Sequence, residues 1–128
     1  MKTVLITGAN KSIGFETARQ LLQKGCYVYL GSRSLENGQE AVKNLHAEGL
    51  KSVEAVQLDV SDEASVKAAR AEIGKKTDVL DVLINNAGIN GGTPQAALEA
   101  SIEQFRKVYE TNLFGVVRVT QSFIDFVA

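Results

Sequence analysis

Along residues 1–84, short runs of β-branched and aromatic residues alternate with longer stretches in which apolar positions recur every three or four residues. The first pattern is that of buried strands, the second that of helices with one apolar face. Strands are predicted over 2–6 (KTVLI), 26–30 (CYVYL), 53–58 (VEAVQL) and 79–84 (VLDVLI). The stretch 13–25 places Gly14, Ala18, Leu21 and Leu22 on one helical face and stops at Gly25, a C-cap signal. Ser34 caps a second predicted helix over 35–48, closed by Gly49. A third, over 62–73, buries Val66, Ala69 and Ile73 and carries Asp62 and Glu63 in its first turn, where the helix dipole favours acids.

After the loop NNAGINGGTP, a long last helix is predicted from about Ser101, where Ser101 and Gln104 form a capping box. Phe105, Tyr109, Val116, Val119, Phe123 and Phe126 fall on one stripe, with Phe114, Val117 and Ile124 elsewhere around the circumference. A helix apolar on more than one side needs more than one cover. The sheet supplies one, and a partner subunit is the expected other. Strand and helix in alternation predict an α/β fold, a Rossmann-type doubly wound parallel sheet in three α/β/α layers with strand order 3-2-1-4. In such sheets ligands sit beyond the carboxyl ends of the strands, near the switch point between strands 1 and 4.

A length of 128 residues suits one domain. With 14 Lys and Arg against 15 Asp and Glu, scattered rather than clustered, nothing suggests a nucleic-acid-binding face. One cysteine, Cys26, and one histidine, His46, make neither an internal disulfide nor a structural zinc site. Cys26 reads as core and His46 as a surface residue. No apolar run approaches the ~20 residues that span a bilayer, so a cytoplasmic setting is expected, with no membrane partner and no metal.

The loop ITGANKSIG carries the first chemistry. Gly8 permits a tight turn out of the first strand, and Gly14 permits close packing of the following helix. Between them a helix N-terminus offers unpaired N–H groups to a phosphate. Asn10, Lys11, Ser12 and Ile13 complete the loop. A Walker A loop is excluded because Asn10, not glycine, precedes Lys11. A methyl-donor site would place an acid at the end of strand 2, where Gly31, Ser32 and Arg33 stand. In dinucleotide sites that acid binds a ribose 2′-hydroxyl, whereas an arginine accommodates a 2′-phosphate. Lys11 and Arg33 are therefore candidates for one phosphate, and NADP(H) is expected over NAD(H).

These motifs together resemble the N-terminal half of the short-chain dehydrogenase/reductase family, of the carbonyl-reductase-like kind, over essentially the whole chain. TGANKSIG is similar to the family's TGxxxGxG cofactor loop, with Ser12 where the family has glycine or alanine. The hydroxyl of Ser12 could cap the helix or meet a phosphate, while its Cβ limits backbone approach. In LDVSD, the resemblance implies adenine contacts for Asp59 and Val60; an acid at Asp59 would equally cap the following turn. NNAG, Asn85 to Gly88, matches the motif beside the cofactor ribose and implies cofactor contacts for Asn86, Ala87 and Gly88. Asparagines at a strand end also satisfy loop backbone. Asn112, in TNLFG, matches a supporting catalytic asparagine. Interrupting an apolar stripe, it is expected to be a buried amide that needs hydrogen-bond partners.

The family's Tyr-x-x-x-Lys pair does not occur here: four residues beyond Tyr27, Tyr29 and Tyr109 lie Gly31, Arg33 and Leu113. The resemblance implies an NADP(H)-dependent carbonyl or alcohol oxidoreductase acting on a small molecule, with the catalytic half absent from this chain. The alternative is an inactive nucleotide-binding or interaction module. A phosphoacceptor receiver domain is excluded because Thr7 and Gly8 follow strand 1 instead of an acidic pair. An uncovered strand 4 and last helix lead to an expected homo-oligomer through residues 101–127, or else a marginally stable monomer.

Overall fold

The computed structural model describes residues 1–88, 102, 103, 106 and 110–127. Its elements run β1 (Thr3–Ile6), α1 (Ser12–Gln23), β2 (Tyr27–Ser32), α2 (Leu35–Ala47), β3 (Val53–Gln57), α3 (Glu63–Gly74) and β4 (Val82–Ile84). A π-helical turn, Glu110–Phe114, then leads into α4 (Gly115–Phe123). Hydrogen bonding orders the sheet β3-β2-β1-β4, all parallel, which is the predicted doubly wound order.

The pleat explains the layers. Val4 and Ile6 of β1 join Val28 and Leu30 of β2 against Ala18 and Leu22 of α1 and Ala41 and Leu45 of α2. The alternate residues Leu5, Tyr29 and Val56 face the other way, onto Val66, Ala69 and Ile73 of α3 and Val119 and Phe123 of α4. Period-2 alternation in the strands thus feeds two cores, and period-3.6 repeats in the helices close them.

Glycine ends two helices by one mechanism. Gly25, at φ +90°, donates its N–H to Leu22 O while Cys26 N–H reaches Leu21 O; Gly49, at φ +85°, donates to His46 O while Leu50 N–H reaches Leu45 O. Both are Schellman closures, which need a left-handed residue just past the helix. At the other ends, Ser34 accepts from Asn37 N–H and Asp62 from Ala64 N–H, capping α2 and α3.

Three expectations change. The predicted strand 79–84 is ladder-paired only over Val82–Ile84, and its beginning is not left unpaired. Leu80 bridges Val127 in parallel and donates its N–H to Phe126 O, because the turn after α4 brings the chain back beside it. His46 is half-buried rather than a surface residue, and its Nε2 is buried without a hydrogen-bond partner among the described residues. The last helix is not a regular α-helix throughout: the π turn over Glu110–Phe114 shifts the facing of the side chains within it. The expected capping box of Ser101 and Gln104, with Phe105 and Tyr109, lies outside the described residues. Cys26 packs against the α1/α2 core as expected.

Candidate functional site

The carboxyl ends of β1 and β4 part at the switch point, and the loops that leave them enclose a cleft of about 330 Å³. Its walls come from Gly8, Asn10, Lys11, Ser12 and Ile13 after β1, Arg33 after β2, Leu58, Asp59 and Val60 after β3, and Asn86, Ala87 and Gly88 after β4, with Thr111 from the π turn. Of the candidate cofactor residues, all but Gly14 line it, and Gly14 lies directly behind.

Glycine is required at two points of the floor. Gly8 has φ +60°, and a Cβ there would sit 2.8 Å from Ala87 Cα. A Cβ on Gly14 would collide with Asn86 Nδ2 and approach Gly8 O at 2.9 Å. Both contacts are tighter than van der Waals packing allows, so larger residues would push the β1 loop off the β4 loop. Ser12 has φ +57°, the left-handed region that L side chains disfavour. That is the physical sense of a glycine at this point in related loops. Ser12 does not cap α1, which starts with no side-chain cap and no acid in its first turn, unlike α2 and α3. The helix whose amides face the cleft is therefore the one left open to an anion.

Thr7 ties the two loops together. Its buried Oγ1 accepts from Asn86 N–H at 3.0 Å and Ala87 N–H at 2.9 Å, while its own N–H donates to Ile84 O at 3.1 Å. Asn86 Nδ2 donates to Gly8 O at 3.0 Å, so this side chain serves the loop backbone. Asn85 reaches away, to Thr120 Oγ1 on α4 at 3.4 Å.

Asp59 does cap its turn. Its Oδ1 accepts from Ser61 N–H at 3.0 Å and from Ser61 Oγ–H at 2.6 Å. Val60 packs against Gly115, where an added Cβ would fall 2.8 Å from Val60 Cγ2, and Val60 O accepts from Arg118 Nη1 at 2.6 Å. Arg118 Nη2 in turn holds Glu110 at 2.8 Å, fastening the π turn to the cleft wall. Lys11 and Arg33 are both exposed at the mouth of the same cleft, and no carboxylate stands at the end of β2. Ile13 is 77% exposed at the rim, an apolar side chain facing the space a ligand would fill.

Asn112 differs from its expectation. It is exposed and belongs to the π turn, so it does not interrupt a buried α-helical stripe, and the cost of burying an amide does not apply. It lies over the β4 loop, where a Cβ on Gly88 would come 3.1 Å from Asn112 Oδ1. The described residues contain no group of three or more His, Cys, Asp or Glu able to hold a metal.

A family model for short chain dehydrogenases matches residues 2–128. The chain belongs to the short-chain dehydrogenase family. Carbonyl reductase (NADPH) 1 of Mus musculus is 40% identical over 128 residues, covering 96% of this chain and 44% of that protein. Among solved structures, the alcohol dehydrogenase of Thermococcus sibiricus, complexed with 5-hydroxy-NADP, superposes with a TM-score of 0.88 at 34% identity over 98% of this chain and 53% of that one. The 3-ketoacyl-(acyl-carrier-protein) reductase of Brucella melitensis, complexed with NADH, gives 0.87 at 30% identity over 98% and 49%. The chain spans about half or less of the length of the curated short-chain dehydrogenases it matches.

Four contributors escaped the reading of the sequence. Leu58 and Thr111 line the cleft, and Thr7 and Ser65 support it from buried positions. Thr7 and Ser65 are, with Ser32, the buried polar residues among those described; Thr7 stands out in the sequence because it follows the apolar run of β1, whereas Ser65 lies among charged neighbours and carries no such signal.

Proposed function

We propose that this chain is the cofactor-binding half of an NADP(H)-dependent oxidoreductase that moves hydride between nicotinamide and a small carbonyl or alcohol substrate. The observation that carries it is the cleft itself: an uncapped helix N-terminus behind a Gly8–Gly14 cradle, with two cations and no acid where the ribose 2′ position would lie. The residues fit the dinucleotide, because an uncapped α1 N-terminus and the cations Lys11 and Arg33 stand at one cleft. The α1 amides would hold the pyrophosphate, Lys11 and Arg33 the 2′-phosphate, Asp59 and Val60 the adenine, and Asn86 to Gly88 the adjacent ribose. The bound dinucleotide supplies the hydride.

Asn112 would take a supporting role. A Tyr-x-x-x-Lys pair is absent from the 128 residues, so the chain by itself would bind without turning over. The same reading includes a cytoplasmic setting and self-association through the π turn, α4 and the turn after it, where Leu113, Phe114, Val117 and Ile124 are exposed. No helix among the described residues is long and apolar enough to cross a membrane.

Calorimetric titration of the chain with NADPH and with NADH tests the proposal. NADPH should bind more tightly, and Arg33→Ala should weaken NADPH by roughly 10- to 100-fold, the loss of one charge-assisted phosphate contact, while leaving NADH nearly unmoved. Absence of binding by either cofactor, or equal affinities untouched by Arg33→Ala, would overturn it.

A further inference from the structure

The loop that carries Arg33 and the loop that carries Asp59 are joined by a run of hydrogen bonds with one possible direction. Asp59 N–H donates to Ser65 Oγ at 2.9 Å, Ser65 Oγ–H donates to Gln57 Oε1 at 2.9 Å, and Gln57 Nε2 donates to Arg33 O at 3.1 Å. A backbone amide can only donate and a carbonyl can only accept, so both ends are fixed. The hydroxyl and the amide between them have one arrangement that satisfies all four groups. Ser65 is buried on α3, so its hydroxyl has no water to fall back on.

The relay runs past the carboxyl end of β3. Gln57 is the last residue of β3 and stands in register with Ser32, the last residue of β2, one position before Arg33. Leu58 N–H also donates to Ser32 O at 2.8 Å. Ser32 Oγ–H donates to Ser34 O at 2.8 Å, closing the turn on the other side of Arg33. The backbone of Arg33 is thus held from both flanks and at its own carbonyl. Its guanidinium leaves that backbone toward the cleft it shares with Lys11.

We propose that Gln57 is a positioning residue for cofactor selection: by holding the Arg33 carbonyl through the Ser65 relay, it aims the Arg33 guanidinium at the 2′-phosphate of a dinucleotide. This rests on the NADP(H) reading above and adds to it a residue that touches no ligand. Gln57→Met keeps the length of the side chain and removes both hydrogen bonds; Ser65→Ala breaks the relay one link further away.

The test uses the full chain and two measurements. In calorimetric titrations, Gln57→Met should narrow the ratio of NADPH to NADH affinity by roughly three- to tenfold, the worth of a lost hydrogen bond, chiefly through NADPH. In an Arg33→Ala background the same substitution should change neither affinity, because there is no guanidinium left to aim. A substitution that merely loosens the fold would weaken both cofactors alike in both backgrounds. Without cofactor, amide hydrogen exchange should show Asp59 losing protection in Gln57→Met and in Ser65→Ala while Val28, in the middle of the sheet, stays protected.

If the parent binds and prefers NADPH but Gln57→Met leaves the ratio unchanged, the positioning role is wrong and the cofactor reading stands. If the parent binds neither cofactor, both fall together. Unaltered Asp59 exchange in both variants would show that the relay does not hold the loops, whatever the cofactor does.

Discussion

Ser12 occupies φ +57° where a glycine would sit without strain. A left-handed L residue costs about 1–2 kcal/mol, and a glycine returns roughly 0.4–1 kcal/mol of that through the greater freedom of the unfolded chain. Ser12→Gly is therefore expected to raise stability by up to about 1.6 kcal/mol, whereas Ser12→Val, β-branched at the same angle, should lower it by at least about 1 kcal/mol; thermal unfolding of the three chains checks the order. Gly14 has the opposite sensitivity. Gly14→Ala drives a methyl into Asn86 and Gly8, so it should cost about 1–3 kcal/mol, as overpacking does, and weaken dinucleotide binding as the β1 loop shifts. The glycine spacing was legible because turn geometry is local. The role of Asn86 was legible only as two alternatives, since whether an amide meets a backbone carbonyl or a ligand depends on a loop nearly 80 residues away in the chain.

At the scale of elements, the two helices on one face of the sheet are joined at their surface by a charged pair. Arg19 of α1 holds Glu16 at 2.6 Å and, on the turn after α2, Glu48 at 2.9 Å, with its guanidinium 5.0 Å over the Phe15 ring. The Arg19 hydrogen bond keeps the Glu48 carboxyl below its ordinary range. The folded state therefore favours the carboxylate. Its contribution is present above the ordinary glutamate pKa and falls away as pH drops through the lowered value. Both partners are solvent-accessible, so the effect is small. Glu48→Gln should melt slightly below the parent at neutral pH, and the gap should close as the pH falls below the ordinary glutamate range; a gap that persists at acid pH would assign it to packing. Helix and strand order were readable from periodicity, and the caps at Ser34, Asp62, Gly25 and Gly49 from single residues. The π turn was not, because an α-helical wheel assumes a constant turn and a π turn departs from it over five residues.

For the molecule as a whole, α4 separates what packs inside from what remains outside. Phe123 is fully buried between α3 and the sheet, while Ile124, its neighbour, is 64% exposed. Phe123→Ala should cost about 3–5 kcal/mol in urea unfolding, as truncation of a core aromatic does; Ile124→Ala, measured at a dilution where the chain is monomeric, should stay within about 0.5 kcal/mol, as surface changes do. The exposed face of α4 borders a groove of about 440 Å³ between α3 and α4, lined by Glu63, Lys67, Phe114, Val117 and Arg118 among others. Under the self-association reading, the parent chain sediments as a dimer or larger, and Val117→Asp shifts it toward monomer. A parent that is monomeric at all concentrations would end that reading.

By itself the sequence determined the order of strands and helices, the 3-2-1-4 sheet and the edge at which the cleft opens. Each of these follows from local periodicity and from the handedness of parallel crossovers, which depend on no distant contact. Tertiary structure alone decided that Asn112 is exposed on a π turn with its amide over Gly88, that Thr7 holds the β4 loop, that Val127 returns to Leu80, and that Ser65 and Gln57 connect Asp59 to Arg33. A hydrogen bond has a partner only where folding has placed one, and these partners come from elements that the chain brings together across long intervals.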